Sequence, residues 1–356
     1  MIGVGMVAQM FHLPHYARNP VCKVVAIAES RPHLAAEVAA RWGIATVVAD
    51  HRSLLDCDAV DAVIVVAPRR ANAPIVLDAL EAGMHVLAEK PMAYTLAQAR
   101  RLAAAARSRR LVYAIGFMKR HDAGVARLLQ LLTLIKAEGR LGDLLLARFF
   151  NFAADYAAPL LPFIRYREKR SICLPMWPAS PDWLLETSVE DYDLFMNVAC
   201  HDVNLMRYVL GDGLHVLSAH NSGANHMVAT LSFGSSIAVL EVAKAAPGFW
   251  HQGIELLFEH GRVLLQLPSP VVNEPARITV EGMAAPDLCP PTESAFQRQA
   301  DSFITDILTG SVPLASGEDA VKDLILIEDI WRHVETSTES PADIGWLVEP
   351  DSRLSV

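Results

Sequence analysis

Short β-branched runs alternate with alanine-rich stretches over the first 115 residues, and this alternation limits the fold more than any other feature of the sequence. Four runs predict strands, and three intervening stretches with helical periodicity predict helices. The strands are predicted at residues 24–28, 59–66, 84–88 and 111–115, and the helices at residues 32–42, 71–82 and 95–108. Helical crossovers of this kind join parallel strands and cover both faces of the sheet. We therefore expect a doubly wound α/β (Rossmann) domain over residues 1–115.

The pattern changes after Gly116, where strands begin to follow one another through tight turns. Runs at 227–233 and 237–243 flank Gly234-Ser235, and runs at 254–259 and 263–267 flank His260-Gly261, which favours hairpins. A further strand is predicted at 144–151, helices at 293–308 and 317–333, and a long helix at 187–208 that ends near Gly211 with a left-handed cap. We expect residues 116–356 to form an α+β domain with a large, mostly antiparallel open sheet.

The composition narrows the class of protein. Hydrophobic residues make up 52% and charged residues 20% of the 356 residues, which is typical of packed globular proteins. The net charge of −9 favours neither nucleic acid nor an anionic membrane as a partner, because both need a basic surface. The five cysteines are widely spaced and predict neither a disulfide framework nor a zinc site: Cys22, Cys57, Cys173, Cys200 and Cys289. We expect a cytoplasmic protein without a membrane span or a signal peptide.

A glycine-rich loop opens the chain. Residues 3–8 read G-x-G-x-x-A, in which Gly3 permits a tight turn and Gly5 permits close approach of a pyrophosphate. The following residues, Met6 and Val7, begin a helix whose free N–H groups attract phosphate. We expect these four residues to contact a dinucleotide. The strand that feeds such a loop usually has five or six residues, so either the true start lies upstream or the first strand is severely shortened.

The type of dinucleotide depends on three residues at the end of the second predicted strand. Glu29 follows the glycine loop by about 20 residues, where an acid hydrogen-bonds the ribose 2′-hydroxyl of NAD. Its charge opposes the 2′-phosphate of NADP, whereas Ser30 and Arg31 could hold that phosphate. We expect NAD to be preferred over NADP.

The segment at residues 82–91, AGMHVLAEKP, resembles the AGKHVLxEKP motif of the Gfo/Idh/MocA oxidoreductases, the family of glucose-fructose oxidoreductase and inositol dehydrogenase. Nearly the whole chain shares the resemblance, including residues 116–120, His201-Asp202 and residues 260–262. The resemblance implies a Rossmann domain followed by a substrate domain, with a nicotinamide cofactor and a carbohydrate-like substrate.

The resemblance also implies roles for individual residues. Lys90 corresponds to the lysine that lies beside the nicotinamide and the substrate hydroxyl, and His201 corresponds to the residue that transfers the hydroxyl proton. Asn197 stands where relatives often carry an aspartate, so it can hydrogen-bond substrate but cannot raise the basicity of His201 through charge. Lys119 and Arg120, at the domain junction, are expected either to line the substrate pocket or to be solvated.

Loop residues after the predicted strands complete the expected cofactor site. Ala67, Pro68 and Asn72 occupy a loop in which many relatives read T-P-N-x-x-H, so contacts with the nicotinamide half differ here. Glu89 precedes Lys90 in the EKP motif and is expected beside the cofactor.

The acidic residues before Asn197 have two interpretations. They either form a solvated face or recognise a cationic group such as that of an amino sugar: Asp182, Glu186, Glu190, Asp191 and Asp193. Taken together, the motifs predict an NAD-dependent oxidoreductase acting on a hydroxyl or keto carbon of a sugar, amino sugar or cyclitol. An NAD-using glycosidase and a non-catalytic NAD-binding regulator are the alternatives. By analogy with relatives we expect a homodimer or homotetramer.

Overall fold

The computed structural model describes residues 1–153, 163–223, 226–246, 248–272, 274–284 and 290–337. Cys289 and the end of the second expected domain lie outside these residues. The described part contains a parallel sheet built from the first 115 residues and a separate seven-stranded mixed sheet built from later residues. The predicted fold class is therefore confirmed. None of the helices in the described part is long and apolar enough to cross a membrane.

The N-terminal part alternates strands and helices as the sequence predicts. Its strands are β1 (Ala26–Ala28), β2 (Thr46–Val48), β3 (Ala62–Val65), β4 (His85–Ala88) and β5 (Tyr113–Ile115). Its helices are α1 (Leu13–Arg18), preceded by a π-helical turn at Ala8–His12, α2 (Pro32–Trp42), α3 (His51–Leu55), α4 (Arg69–Glu81) and α5 (Leu96–Arg109). Strand β2 and helix α3 are elements that the sequence pattern did not predict.

The two residues before the glycine loop lie in the middle of the parallel sheet. Ile2 pairs in parallel with Ala28 of β1 and with Val65 of β3, and so connects β1-β2 to β3-β4-β5. The amino group of Met1 donates to the carbonyl oxygen of Ala26 at 2.7 Å and is buried. Met1 and Ile2 thus lie between β1 and β3 in the sheet.

The C-terminal part is built around the seven-stranded sheet. Its strands are β6 (Leu144–Ala153), β7 (Leu214–Asn221), β8 (His226–Phe233), β9 (Ser236–Lys244), β10 (Trp250–Phe258), β11 (Gly261–Leu267) and β12 (Arg277–Glu281), in the order β12-β11-β10-β6-β9-β8-β7. Strand β6 runs parallel to β9 and antiparallel to β10, so the sheet is mixed. Its helices are α6 (Ala123–Glu138), α7 (Val189–Val198), α8 (Cys200–Leu210), α9 (Ala295–Thr309) and α10 (Gly317–Thr336).

The predicted long helix at 187–208 is wrong in one respect, because it is two helices, α7 and α8, separated at Ala199. Ala199 has ψ −18, which tightens the turn. The ammonium of Lys90 reaches the backbone carbonyl oxygen of Asn197 just before this break. A side-chain donor on a helical carbonyl disturbs the regular ladder of backbone bonds, which accounts for the interruption.

Two predicted turns also need correction. Gly211 has a positive φ of 91° but ψ of −170°, so it ends α8 in an extended, glycine-only conformation rather than in a left-handed helical cap. The β10–β11 turn uses Glu259-His260, one residue earlier than predicted, because Phe258 pairs with Gly261. The turn at Gly234-Ser235 between β8 and β9 is confirmed, since Phe233 pairs with Ser236.

Candidate active site

The glycine loop forms the floor of a cleft of about 300 Å³ at the carboxyl ends of the parallel strands. Gly3 has φ +83, and a Cβ there would lie 2.3 Å from the carbonyl oxygen of Val66. Only glycine can therefore bring this loop against the neighbouring strand. Gly5, Met6 and Val7 also line the cleft, as the sequence predicts for a dinucleotide site.

Glu29 lies in this cleft and is tied to Arg31. The guanidinium of Arg31 donates to the two carboxylate oxygens at 2.9 and 2.8 Å, and the Val4 N–H donates to the same carboxylate at 3.1 Å. Burial alone would raise the pKa of Glu29, but these hydrogen bonds outweigh burial and hold the pKa below its usual value. The carboxylate is thus an anion at neutral pH, and Ser30 lines the cleft beside it.

The EKP segment borders a larger cavity of about 400 Å³, which lies next to this cleft. Met6 and Val7 line both spaces, and Glu89 and Lys90 line the larger one. Glu89 accepts a hydrogen bond from the backbone N–H of Lys90 at 3.2 Å and lies 2.8 Å from Nε2 of the buried His12. The Glu89 carboxylate therefore connects His12, in the helical segment after the glycine loop, with the backbone of Lys90.

Lys90 reaches across the cavity to α7. Its Nζ donates to the backbone oxygen of Asn197 at 2.5 Å and lies 3.3 Å from Oδ1 of the same residue. Strand β4 ends two residues before Lys90, so the lysine projects from the carboxyl edge of the sheet, where ligands bind in folds of this kind. The cavity is thus bounded by a lysine from the first sheet and an amide from the helix opposite.

His201 lines the same cavity from α8. Its ring packs edge-on against Phe117 at 5.8 Å, and Nδ1 is buried without a partner among the described residues. Burial lowers the pKa of His201 well below its usual range, and the nearby ammonium groups of Lys90 and Lys119 lower it further. The imidazole is therefore neutral at physiological pH, with a ring nitrogen available to accept a proton.

Comparison with known proteins relates the N-terminal part of the chain to a known family. The sequence profile of the Gfo/Idh/MocA family, described as an oxidoreductase family with an NAD-binding Rossmann fold, matches residues 1–117. Residues 1–117 of this chain thus resemble the NAD-binding Rossmann domain of that family. The levoglucosan dehydrogenase of Pseudarthrobacter phenanthrenivorans is 28% identical over 197 residues, which are 54% of this chain and 43% of that enzyme. The chain thus spans about half the length of the first curated relatives that it matches.

Two solved structures share the fold over nearly the whole chain. A 3-ketoreductase from Actinomadura kijaniata, in complex with NADP and TDP-benzene, has a TM-score of 0.72 at 22% identity and covers 94% of this chain and 96% of its own. The WlbA dehydrogenase from Bordetella pertussis, in complex with NADH and UDP-GlcNAcA, has a TM-score of 0.72 at 19% identity and covers 94% of each chain. At these identities the likeness concerns the fold alone.

The remaining residues of the expected cofactor site divide into two groups. Ala67 and Pro68 line the cleft with Arg31, and their contact with a cofactor stays a prediction. Asn72 is buried, and its amide donates to the backbone oxygen of Glu89 at 2.7 Å. Asn72 therefore holds the EKP segment in place from behind, and direct contact between Asn72 and a cofactor stays a prediction.

The two basic residues at the domain junction have different surroundings. Lys119 is buried and lines the larger cavity, which is also lined by Lys90, Asn197 and His201 and is called the reaction cavity below. Arg120 does not line it, because its guanidinium donates to Oδ1 of Asn204 at 2.8 Å and to the Leu314 carbonyl at 2.9 Å, and forms an ion pair with Asp319 at 2.6 Å. The expectation that Arg120 lines the substrate pocket or is solvated is corrected by this geometry, since a multiply bonded guanidinium is already satisfied within the core.

Sequence reasoning missed a buried polar cluster beside the cavity. Asp202 accepts hydrogen bonds from the amides of Asn151 at 2.7 Å and Gln252 at 2.6 Å, and its carboxylate lies 3.8 Å from Nζ of Lys119. Burial lowers the pKa of Lys119, and Asp202 opposes that shift. Alternation along β6 and β10 places Asn151 and Gln252 opposite each other on the core face, which could have been recognised as two polar residues at apolar positions.

The acidic run separates into different environments. Asp193 pairs with Arg69 and accepts from the Tyr94 hydroxyl, so it joins α7 to the first sheet. Asp191 lines the reaction cavity and accepts from the amide of Asn221 at 2.8 Å. The other three are exposed, as the solvated-face interpretation expects: Asp182, Glu186 and Glu190.

Proposed function

We propose that this protein is a nicotinamide-dependent oxidoreductase that interconverts a hydroxyl and a keto carbon on a sugar, amino sugar or cyclitol. The observation that carries the proposal is the convergence of Lys90, Asn197 and His201 on one cavity that joins the cleft of the glycine loop. The tight turn at Gly3, where a Cβ would meet the carbonyl oxygen of Val66, is the turn that a dinucleotide-binding loop requires. The relatives are also named dehydrogenases and reductases of sugars.

The chain supplies proton transfer and charge stabilisation. A nicotinamide cofactor, held by the residues of the glycine-loop cleft, would supply the acceptor for the hydrogen of the carbinol carbon and its electron pair. Neutral His201 takes the hydroxyl proton, since its depressed pKa keeps a nitrogen lone pair free. Lys90 stabilises the oxygen as negative charge develops on it, and the Asn197 amide orients the substrate. The balanced products are a ketone, a protonated histidine and the reduced cofactor.

We further propose that NAD is preferred over NADP. The anionic Glu29 occupies the end of β1, where the adenosine ribose binds in Rossmann folds. Because Arg31 is engaged in neutralising Glu29, its guanidinium is not available to hold a 2′-phosphate unless that ion pair breaks. One structural neighbour binds NADP and another NADH, so the relatives leave this choice to the local residues.

The function is tested by incubating the purified protein with NAD and a panel of free sugars, cyclitols, amino sugars and glycosides. Steady formation of NADH, coupled to formation of a keto sugar, supports the proposal. Release of free sugar without net NADH would instead identify an NAD-using glycosidase. Tight NAD binding without turnover of any member would identify a non-catalytic regulator.

We also propose that two copies associate through the outer face of the seven-stranded sheet. The apolar residues Val228, Ile237 and Leu257 are 46%, 39% and 41% exposed there. Ile237 and Leu257 both pair with Leu146 of β6, so they lie side by side on one face. Light scattering on Ile237→Glu/Leu257→Glu is expected to show monomers, whereas Val312→Glu, at an exposed apolar position away from the sheet, leaves the mass unchanged. An unaltered mass in the double variant would exclude this face.

A further inference from the structure

A second chamber adjoins the reaction cavity. Its volume is about 420 Å³, and it lies between α1, the carboxyl end of α2, the segment after β11 and the start of α9. Five residues line both spaces and form a shared wall: Phe11, Met118, Lys119, Pro270 and Phe296. The second chamber and the reaction cavity are therefore adjacent and share a boundary formed by these five residues.

The second chamber has aromatic surfaces. Phe11 and Phe296 stack with ring centroids 4.6 Å apart at its inner end. Trp42 lies at its outer end, with the guanidinium of Arg18 over the indole at 5.8 Å. Aromatic faces of this kind offer large apolar contact area at fixed positions. They match the apolar C–H face of a pyranose ring as well as they match a hydrocarbon.

The polar lining carries both signs of charge. Lys119 stands at the shared wall, and Arg18 and Arg41 stand at the outer end. Asp122 and Glu274 line the same space. A hydrocarbon group would cover these charges without pairing them, which costs free energy. A diphosphate would gain from the cations but would meet the carboxylates at short range, where like charges repel.

Hydroxyl groups satisfy such a lining, because each donates to a carboxylate and accepts from an ammonium or guanidinium. We infer that the second chamber binds a further, uncharged sugar unit joined to the sugar that reacts, so that the substrate is a disaccharide or larger glycoside rather than a free monosaccharide. This inference rests on the proposed function for the identity of the reacting unit. It goes beyond that function in naming the size of the substrate and where its second ring lies.

Binding measurements test the inference without relying on turnover. In the presence of NADH, which cannot accept a hydride, the affinities of glucose, galactose, maltose, cellobiose, trehalose, lactose and UDP-glucose are measured by calorimetry. At least one disaccharide is expected to bind about tenfold more tightly than its parent monosaccharide, the scale of one or two extra hydrogen bonds. Disaccharides that bind no better than monosaccharides, or tighter binding of UDP-glucose than of every disaccharide, would overturn it.

Variants confined to the second chamber locate the effect. Ser269→Trp, which places a bulky ring in this chamber only, is expected to weaken the disaccharide about tenfold and to leave the monosaccharide unchanged. Arg18→Ala/Arg41→Ala alters exposed side chains without disturbing the core, and it is also expected to weaken the disaccharide but not the monosaccharide. Arg109→Ala on α5 is the matched surface control and should change neither affinity. Equal weakening of both sugars would contradict the inference. Failure of the proposed function would appear separately, as bound sugar that gives no NADH.

Discussion

The ammonium of Lys90 donates to the backbone carbonyl oxygen of Asn197 at 2.5 Å, across the cavity between the two sheets. This contact places a cation at the junction of α7 and α8, one turn from His201. The lysine and the histidine both line this cavity. Burial lowers the pKa of His201, and the ammonium of Lys90 contributes to that shift.

Loss of either group should remove most of the activity. Lys90→Met and His201→Ala are each expected to lower kcat by roughly 100-fold or more, the scale of losing acid-base or oxyanion stabilisation. NAD affinity should change far less, because the glycine loop is untouched. Steady-state kinetics with the best sugar of the panel and fluorescence titration of NAD provide the two measurements. If His201→Ala kept near-normal kcat, His201 would have only a structural role.

A carboxylate at position 197 should alter the pH dependence. In the wild-type protein the pKa of His201 is depressed, so the neutral base persists into the acidic range. Asn197→Asp introduces a negative charge near the imidazole and raises that pKa. Protonation then begins at higher pH, and the acidic limb of the kcat/KM profile for oxidation moves upward. Asn197→Leu, which adds no charge, is the control and should lower kcat/KM without moving the limb.

Removing Glu29 should change the cofactor preference. In Glu29→Ala the guanidinium of Arg31 loses its carboxylate partner and becomes available to a 2′-phosphate. The ratio of NADP to NAD affinity is expected to rise about tenfold, the size of one charge-assisted hydrogen bond. Glu29→Ala/Arg31→Ala should lose that gain. Tighter binding of NADP by the wild-type protein in the same titrations would show that Arg31 already dominates.

The Lys119–Asp202 pair should show strong coupling in stability. Asp202→Leu leaves the buried ammonium of Lys119 without its carboxylate and is expected to cost about 3–5 kcal/mol in urea unfolding. Lys119→Met/Asp202→Leu removes both charges, so it should be more stable than Asp202→Leu alone. Additive losses in the double-mutant cycle would show that the two side chains do not interact.

Asp191 offers a test of substrate charge. Asp191→Asn is expected to raise KM for an amino sugar more than for its hydroxyl analogue, because Asp191 lines the reaction cavity. The neighbouring Glu190 is exposed, so Glu190→Gln is a matched control that should change neither KM. Equal effects of Asp191→Asn on both substrates would mean that Asp191 serves only to hold Asn221.

Local pattern and short motifs were enough to predict the fold class and much of the candidate site. Helix α2 begins at Pro32 and ends before Gly43, where φ is +66, so its bounds follow from residues within the helix itself. The glycine loop and the EKP segment could be recognised because each is a short motif of consecutive residues next to a strand. Lys90 and His201, by contrast, are named as site residues from the resemblance to the Gfo/Idh/MocA family, and their catalytic roles stay a prediction.

Long-range contacts determined the rest, because they join residues that no local pattern relates. Arg120 neighbours Lys119 in sequence, yet it is bound to Asn204 and Asp319 in the core while Lys119 faces the cavity. The break between α7 and α8 coincides with an ammonium from residue 90, more than a hundred positions away. Hydrophobic periodicity indicates which face of a helix or strand is buried. It does not indicate which charged side chain packs against that face. That pairing depends on how the two sheets and their helices pack. The same packing buries His201 and brings Lys90 and Lys119 near it, and both effects lower its pKa.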